Sequence, residues 1–523
     1  MKLLKKLPLI ALATTVFIGK MVYGTPSPSS CLNLLEKSTP QLSCCQQKGK
    51  APNWNEVVRF KSAGKYKVTW RAEFNIKETS DFSGLSLTKP DAITHLKLNG
   101  NPIRMPERNM IYDTVPVPIS MLKKGNNRLE AQWQVTVKLI KDRKTARVSY
   151  KPAMLKASDT KISLAGLTAS ELKFQTGPLL GYAGTDFFTV TCRVNIPATL
   201  TLSANGHKIV SPPALLHNFK VKRLKADTAY KYTITATLPS GDTITTKPYI
   251  VRTLPKKTPF KFAVLGDSRS HPKDWKKVAE ATRKEQPILS VFVGDMVTNG
   301  HKDRLWDNEY WAPAKDFLAT IPYFSIIGNH EGNDPIFTKL FMTPTGGNEW
   351  TQQVGPVLLI GIDGSKNWTK GSKLAQWLEK ILSHSKAKYI FLFSHYPAWT
   401  SGYHGTLSKT TGHPREKTIK NAQDTIMPLL EKYHATAMFS GHDHFYERSE
   451  PPKGVSMIVT GGAGAPLRDK VKNAEKQNPY SKVFCKKLHY CILSVNTDAC
   501  KMRAITPDGE VIDTWSWPAR KVK

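Results

Sequence analysis

Two histidines, His442 and His444, follow the apolar run Ala435-Thr436-Ala437-Met438-Phe439-Ser440 in the stretch Gly441-His442-Asp443-His444-Phe445-Tyr446-Glu447-Arg448. Leaving a strand end together, they present both imidazoles to a common centre, a spacing that suits two neighbouring divalent ions. On a surface loop such a pair is ordinarily two solvated side chains. Here four further apolar runs in the same third of the chain also end in potential ligands. The run 261–265 ends in Gly266-Asp267-Ser268-Arg269, and 288–293 ends in Gly294-Asp295. The run 323–327 ends in Gly328-Asn329-His330-Glu331, and 389–394 ends in His395-Tyr396-Pro397. A single Gly-Asp after a strand is a common turn. Asp, Asp, Asn, His and His-x-His at successive strand ends are not explained as independent turns.

Elements must bring these ends together. Helical patterns separate most of the runs, at 275–285, 305–318, 374–383 and 419–433. Continuous apolar runs alternating with helices indicate parallel strands buried on both faces, and such sheets gather their ligands at the carboxyl ends of the strands. All the candidates are therefore expected on one rim. After the last of them come the apolar runs 455–459 and 492–495 and a hairpin through Pro507-Asp508-Gly509.

The ordered set of strand-end motifs resembles the calcineurin-like metallophosphoesterases, and within them the purple acid phosphatases. Gly441 to Arg448 resembles that family's Gly-His-x-His-x-Tyr-Glu-Arg, and Thr460-Gly461-Gly462-Ala463-Gly464 its Thr-Gly-Gly-x-Gly. Phe341-Met342-Thr343-Pro344, the run Val357 to Asp363, and Gln376-Trp377-Leu378 fall at comparable segments, so the likeness covers about residues 150–520. It implies that 256–523 is an α/β metallophosphoesterase domain of two packed β-sheets flanked by helices, following all-β sandwich domains. It also implies two divalent or trivalent ions, of Fe, Zn or Mn. By resemblance Asp295 bridges them, Asp267 and His444 complete the first site, and Asn329, His395 and His442 complete the second. His330 is expected to contact the phosphoryl group, and His404 stands where the family has a substrate-side histidine. The expected reaction is hydrolysis of a phosphate monoester by in-line attack of a metal-activated hydroxide. A phosphodiesterase on the same site and a catalytically inactive surface binding protein are the alternatives. An inactive relic usually loses a ligand, and here Asp267, Asp295, Asn329, His395, His442 and His444 are all present.

The chain departs from the pattern at the first site. Purple acid phosphatases place a tyrosine ligand three residues after the bridging Asp, and its charge transfer to ferric iron gives the colour; here that position is Thr298. Other metallophosphoesterases place a histidine two residues after the first Asp; here that position is Arg269, a permanent cation. The protein is expected to be colourless and to bind its first ion more weakly, with Arg269 turned toward the substrate phosphate or in a rim salt bridge. His271 and His301 lie nearby, although neither matches a family position.

The remaining sequence frames this centre. Its 523 residues are 40% apolar, with 12 Trp, 20 Phe and 17 Tyr, which suits about three packed domains. Seventy-six Lys and Arg against 41 Asp and Glu leave a charge of +35, which favours anionic partners such as phosphate esters or an acidic surface. The basic charge is spread along the chain, and no specific nucleic-acid site is indicated. Residues 1–24 read as a signal peptide, with a basic start and an apolar run over 7–19 too short to span a bilayer. A secreted, periplasmic or cell-envelope protein with no membrane span in its mature chain is the expectation. Residues 25–53 read as a linker or leader, and 54–149 alternate with period two as a β-sandwich, in which the run 118–129 resembles the jelly-roll modules that accompany carbohydrate-active enzymes and implies a jelly-roll-like domain with a candidate carbohydrate contact. Residues 150–255 read as a second sandwich, whose Leu224, Thr228, Tyr230 and Tyr232 resemble a fibronectin type III strand with its corner tyrosine. Of seven cysteines, Cys485, Cys491 and Cys500 offer one disulfide and Cys192 reads as a buried thiol.

Overall fold

A computed structural model describes residues 32–521 apart from 36–37, 46–53, 61–62, 80–81, 89–92, 104–113, 142–147, 153, 158–161 and 333–334. The signal-peptide pattern of 1–24 lies outside the described residues. Among the described residues no helix is long and apolar enough to cross a membrane.

The C-terminal region, from Phe260 to Pro518, consists of two sheets. The first runs in the order Tyr323–Ser325, Ser290–Phe292, Phe260–Leu265, Tyr490–Val495, Ala499–Ile505 and Val511–Pro518. Its first three strands are parallel and its last three antiparallel. The second runs Trp350–Val354, Val357–Gly361, Tyr389–Phe393, Ala437–Ser440, Ser456–Thr460, Tyr446–Ser449 and Ser481–Cys485, with a parallel centre from Val357–Gly361 to Ser456–Thr460. The two sheets pack face to face: the Phe262 and Phe391 rings lie 5.8 Å apart, and Phe391 meets Trp517 at 5.7 Å. The parallel strands are predominantly apolar because their other face is covered too. The helix Pro272–Lys284 and the helical stretch 303–318 bury Trp275, Val278, Trp306, Tyr310 and Phe317 outside the first sheet. Lys373–His384 and the stretch 417–432 bury Leu378, Leu382, Ile426 and Leu430 outside the second. These helices start one to three residues earlier than the apolar pattern indicates, since Pro272 and Lys373 occupy polar first turns that periodicity does not register.

The N-terminal region corrects two sequence expectations. Residues 25–53 are not simply a linker: Gln41–Cys45 pairs with Gly64–Ile76 in a six-stranded sheet, and Leu32–Asn33 pairs with Ser163–Leu167 in a four-stranded one. Leu42 is fully buried between Val68 and Trp70 of one sheet and Leu85, Leu87 and Leu164 of the other. The first sandwich also reaches past 149, because Ser163–Leu167 pairs with Gly84–Thr88. Strands of a few residues carry too little alternation to reveal which sheet receives them.

The next sheet comprises Phe174–Ala183, Phe187–Ala204, His207–Lys222, Ala229–Thr237, Thr243–Thr245 and Tyr249–Arg252. Tyr230 Oη accepts the Lys225 N–H at 2.7 Å and closes the bend before its own strand. Buried Tyr232 donates to Ala319 O at 2.7 Å, and Arg193 pairs with Asp303 and with Asp307 at 2.8 Å, so this sheet is fastened to the C-terminal region. The disulfide expected among the C-terminal cysteines does not form: Cys485, Cys491 and Cys500 are free, as is buried Cys192. Cys491 and Cys500 instead fill the apolar interior of the first sheet.

Candidate metal centre

Five strands bring their ends to one rim. Phe260–Leu265 leads to Asp267, Ser290–Phe292 to Asp295, Tyr323–Ser325 to Asn329 and His330, Tyr389–Phe393 to His395, and Ala437–Ser440 to His442 and His444. Asp267, Asp295 and His442 have φ of 59°, 58° and 74°, a left-handed backbone that costs of order 1–3 kcal/mol per residue and gathers at functional sites. The preceding glycines leave room for neighbouring ligands. A Cβ on Gly441 would lie 2.0 Å from Asp267 Oδ2, and one on Gly294 (φ +94°) would lie 2.8 Å from His395 Nδ1.

The side chains form one continuous cluster. His395 Nε2 stands 3.0 Å from Asn329 Oδ1, 3.1 Å from His442 Nδ1 and 3.3 Å from Asp295 Oδ1. Asp295 Oδ2 lies 3.4 Å from Arg269 Nε and 3.8 Å from His330 Nε2, and its Oδ1 accepts the His330 N–H at 3.0 Å. Asp267 accepts the His442 N–H at 3.1 Å and lies 3.6 Å from His444 Nε2. Arg269 Nη2 stands 3.4 Å from His444 Nε2. The His404 ring lies 3.7 Å from that of His442. Every candidate named from the sequence thus lies in this cluster, whereas His271 sits on the half-exposed side facing Asp274 at 3.9 Å.

The outer nitrogens of the histidines are pinned, which fixes what the inner ones offer. His395 Nδ1 donates to Val293 O at 2.8 Å, His444 Nδ1 to Pro466 O at 2.8 Å, and His442 Nε2 to Glu416 Oε2 at 2.9 Å. Their inward nitrogens are therefore lone pairs. Burial holds His395 below the usual imidazole range, His442 down to about 4 and His444 to about 3. Burial and the neighbouring Asp295 charge push Asp267 well up. Burial also raises Asp295, but His395 and His330 outweigh it and hold that carboxyl low. Two buried carboxylates in conflict, and lone pairs facing one another with no proton between them, make a donor set suited to cations.

Two further residues support the cluster. Glu331 Oε2 accepts the Asp295 and Gly328 N–H groups at 2.8 Å and Oε1 that of Met296 at 2.7 Å, tying two ligand turns together. Glu331 ends the motif Gly328-Asn329-His330-Glu331, and only its contacts assign it this role. Glu416 bridges His442 and His404. Burial raises its carboxyl, but the hydrogen bonds from His404 and His442 outweigh that and hold it at about 2. Nothing in Pro414-Arg415-Glu416-Lys417 marks it in sequence, because a lone carboxylate among basic residues reads as surface. Thr298 is turned aside: its hydroxyl and N–H both donate to Glu309, at 2.9 and 2.7 Å.

Residues 260–446 match the family model of the calcineurin-like phosphoesterases. A probable purple acid phosphatase of Arabidopsis thaliana is 24% identical over 279 residues, 50% of this chain and 61% of that protein. Rat tartrate-resistant acid phosphatase type 5 is 32% identical over 100 residues, 19% of this chain and 27% of that one. The chain thus spans less than two thirds of the length of either relative. In three dimensions the chain is similar to a purple acid phosphatase from yellow lupin seeds, with a TM-score of 0.58, 15% identity and coverage of 88% of this chain and 94% of that one. It is also similar to PhoD, with a TM-score of 0.51 and 12% identity over 66% of this chain and 90% of that one. These two likenesses concern the fold. Among the described residues, Asp267, Asp295 and His395, and His404, Glu416 and His442, each bring ligand atoms within 4.8 Å of one another, groups that could hold a metal ion.

Proposed function

We propose that this chain, which carries a calcineurin-like phosphoesterase domain over residues 260–446, hydrolyses phosphate monoesters with metal bound in the cluster of Asp267, Asp295, Asn329, His395, His442 and His444. The observation that carries the reading is the convergence of His395 Nε2, His442 Nδ1 and Asn329 Oδ1, at 3.0–3.1 Å steps, on the buried carboxylates. When bound, such ions lower the pKa of a coordinated water and stabilise charge on phosphoryl oxygens.

The chain's own groups orient the substrate and move protons. His330 Nδ1 donates to Thr298 O at 2.7 Å, which aims Nε2 into the cleft on the Asp295 side. When both ring nitrogens carry a proton, Nε2 donates to a phosphoryl or leaving oxygen from there. Burial lowers His404, but its hydrogen bond to Glu416 more than offsets this and raises it, which favours the protonated ring on the substrate side. Glu331 and Glu416 hold the ligands in place and contact no substrate.

The basic and apolar pattern of 1–24 supports export, the +35 charge of the chain supports anionic partners, and the jelly-roll likeness of 118–129 supports carbohydrate contact by the N-terminal sandwich. The test of the reaction is hydrolysis of an aryl phosphate and a bis-aryl phosphate by metal-stripped protein supplied with Mn, Zn or Fe. Faster turnover of the monoester is expected. A preference for the diester would indicate a phosphodiesterase, and no turnover with any metal would indicate a binding protein.

A further inference from the structure

We infer that the Arg269 guanidinium fills one of the two cation positions of this centre, so that the chain holds a single metal ion, in the half formed by Asp295, Asn329, His395 and His442. The inference rests on the metal-centre reading above.

Arg269 follows Asp267 by two residues and turns back into the cleft with its side chain only 13% exposed. Its Nη2 and Nε stand 3.4 Å from His444 Nε2 and from Asp295 Oδ2 respectively. Those are the inward atoms that an ion in the first half-site would need. With His444 Nδ1 donating to Pro466 O at 2.8 Å, Nε2 is an acceptor and takes a guanidinium N–H instead. Arg269 Nε is buried without a hydrogen-bond partner among the described residues, so the group is held there chiefly by charge, beside the buried carboxylates Asp267 and Asp295. A guanidinium keeps its proton at any working pH, and it repels a second cation placed against it.

The neighbouring residues fit the same assignment. Ser270 Oγ lies 3.4 Å from Arg269 Nη1 and 3.2 Å from Thr298 Oγ1, which buttresses the guanidinium on its outer side. Thr298, committed to Glu309, offers the first half-site no ligand. The other half-site has the opposite character: His395 Nε2 and His442 Nδ1 face each other at 3.1 Å, with no Lys or Arg hydrogen-bonded to them among the described residues. One fixed organic cation and one exchangeable metal ion thus share the rim, and the guanidinium contributes a permanent charge and N–H donors to a bound phosphoryl group.

Metal content decides the matter. Metal-stripped full-length protein titrated with Mn²⁺ is expected to bind about one equivalent tightly, with an electron paramagnetic resonance signal free of exchange coupling between ions. Arg269→His, and separately Arg269→Ala, should raise this to about two equivalents and introduce the coupled signal of neighbouring ions. Wild-type protein that binds two ions with similar affinity overturns the inference, as does failure of both folded variants to gain an ion. Circular dichroism establishes folding, and the wild-type stoichiometry stands as a test even if a variant misfolds. Protein that holds one ion but hydrolyses no phosphate ester would defeat the proposed function and leave this inference intact.

Discussion

Glu416 Oε2 accepts the Nε2–H of His442 at 2.9 Å, and its other oxygen takes the Nδ1–H of His404. One carboxylate therefore fixes the tautomer of His442 and, through its hydrogen bond, raises His404. Partners of this kind orient their ligands and are worth about 10- to 100-fold in metal affinity or activity. Glu416→Ala should lower metal affinity by that factor and also shift the pH profile of turnover as His404 loses its acceptor. Metal titration together with a pH–rate profile checks this; an altered stability alone, with both readouts unchanged, would assign Glu416 a merely structural part.

Asp295 touches His395, His330 and Arg269 at once, so it is the least replaceable side chain of the cluster. Asp295→Ala should abolish turnover and deplete bound metal while circular dichroism stays unchanged. Substantial residual activity would show that the metals are held elsewhere.

His330→Ala should reduce turnover by roughly 10²- to 10⁴-fold without releasing metal, the range for a lost acid–base or charge-stabilising group. Its side chain lies 3.8 Å from Asp295 Oδ2 and is anchored on Thr298 O, so its removal spares the inward donors. Metal loss in this variant would identify it as a ligand instead.

Arg193 lies in the second sandwich and is buried against Asp303 and Asp307 of the catalytic domain. Arg193→Ala strands two carboxylates beside each other, a loss that costs about 3–5 kcal/mol. Adding Asp303→Asn should recover part of it. Denaturant unfolding of the single and double variants measures the coupling, and additive effects would mean that the pair does not join the domains.

His489 is fully buried; its Nδ1 donates to Lys487 O at 2.9 Å and its Nε2 faces Thr460 Oγ1 at 3.1 Å. Burial depresses it from 6.5 to about 4, so folding favours its neutral form. A base depressed in the folded state contributes stability that is present above pH 6.5 and lost as the pH falls toward about 4. The loss amounts to about 3 kcal/mol at most. His489→Gln should unfold with a flatter dependence over that window than the wild type. Parallel unfolding curves for the two proteins would remove His489 from the acid response.

The sequence by itself determined the parallel apolar strands and the polar groups that end them, because burial on both faces demands unbroken apolar runs and a strand end places the next residues on the rim. Asp267, Asp295, Asn329, His395, His442 and His444 were legible for that reason, and so was the departure at Arg269 and Thr298. It did not reveal that Leu32–Asn33 and Gln41–Cys45 complete the first sandwich, since strands this short carry no readable period. Nor did it mark Glu416, which enters the site from an unremarkable loop, or assign Glu331 its clamp on two ligand turns. Whether Arg269 meets solvent, substrate or the ligand atoms was likewise decided only in three dimensions. A long side chain's direction follows from the charges and space that the whole fold puts around it, and buried Asp295 and the lone pair of His444 draw this one inward.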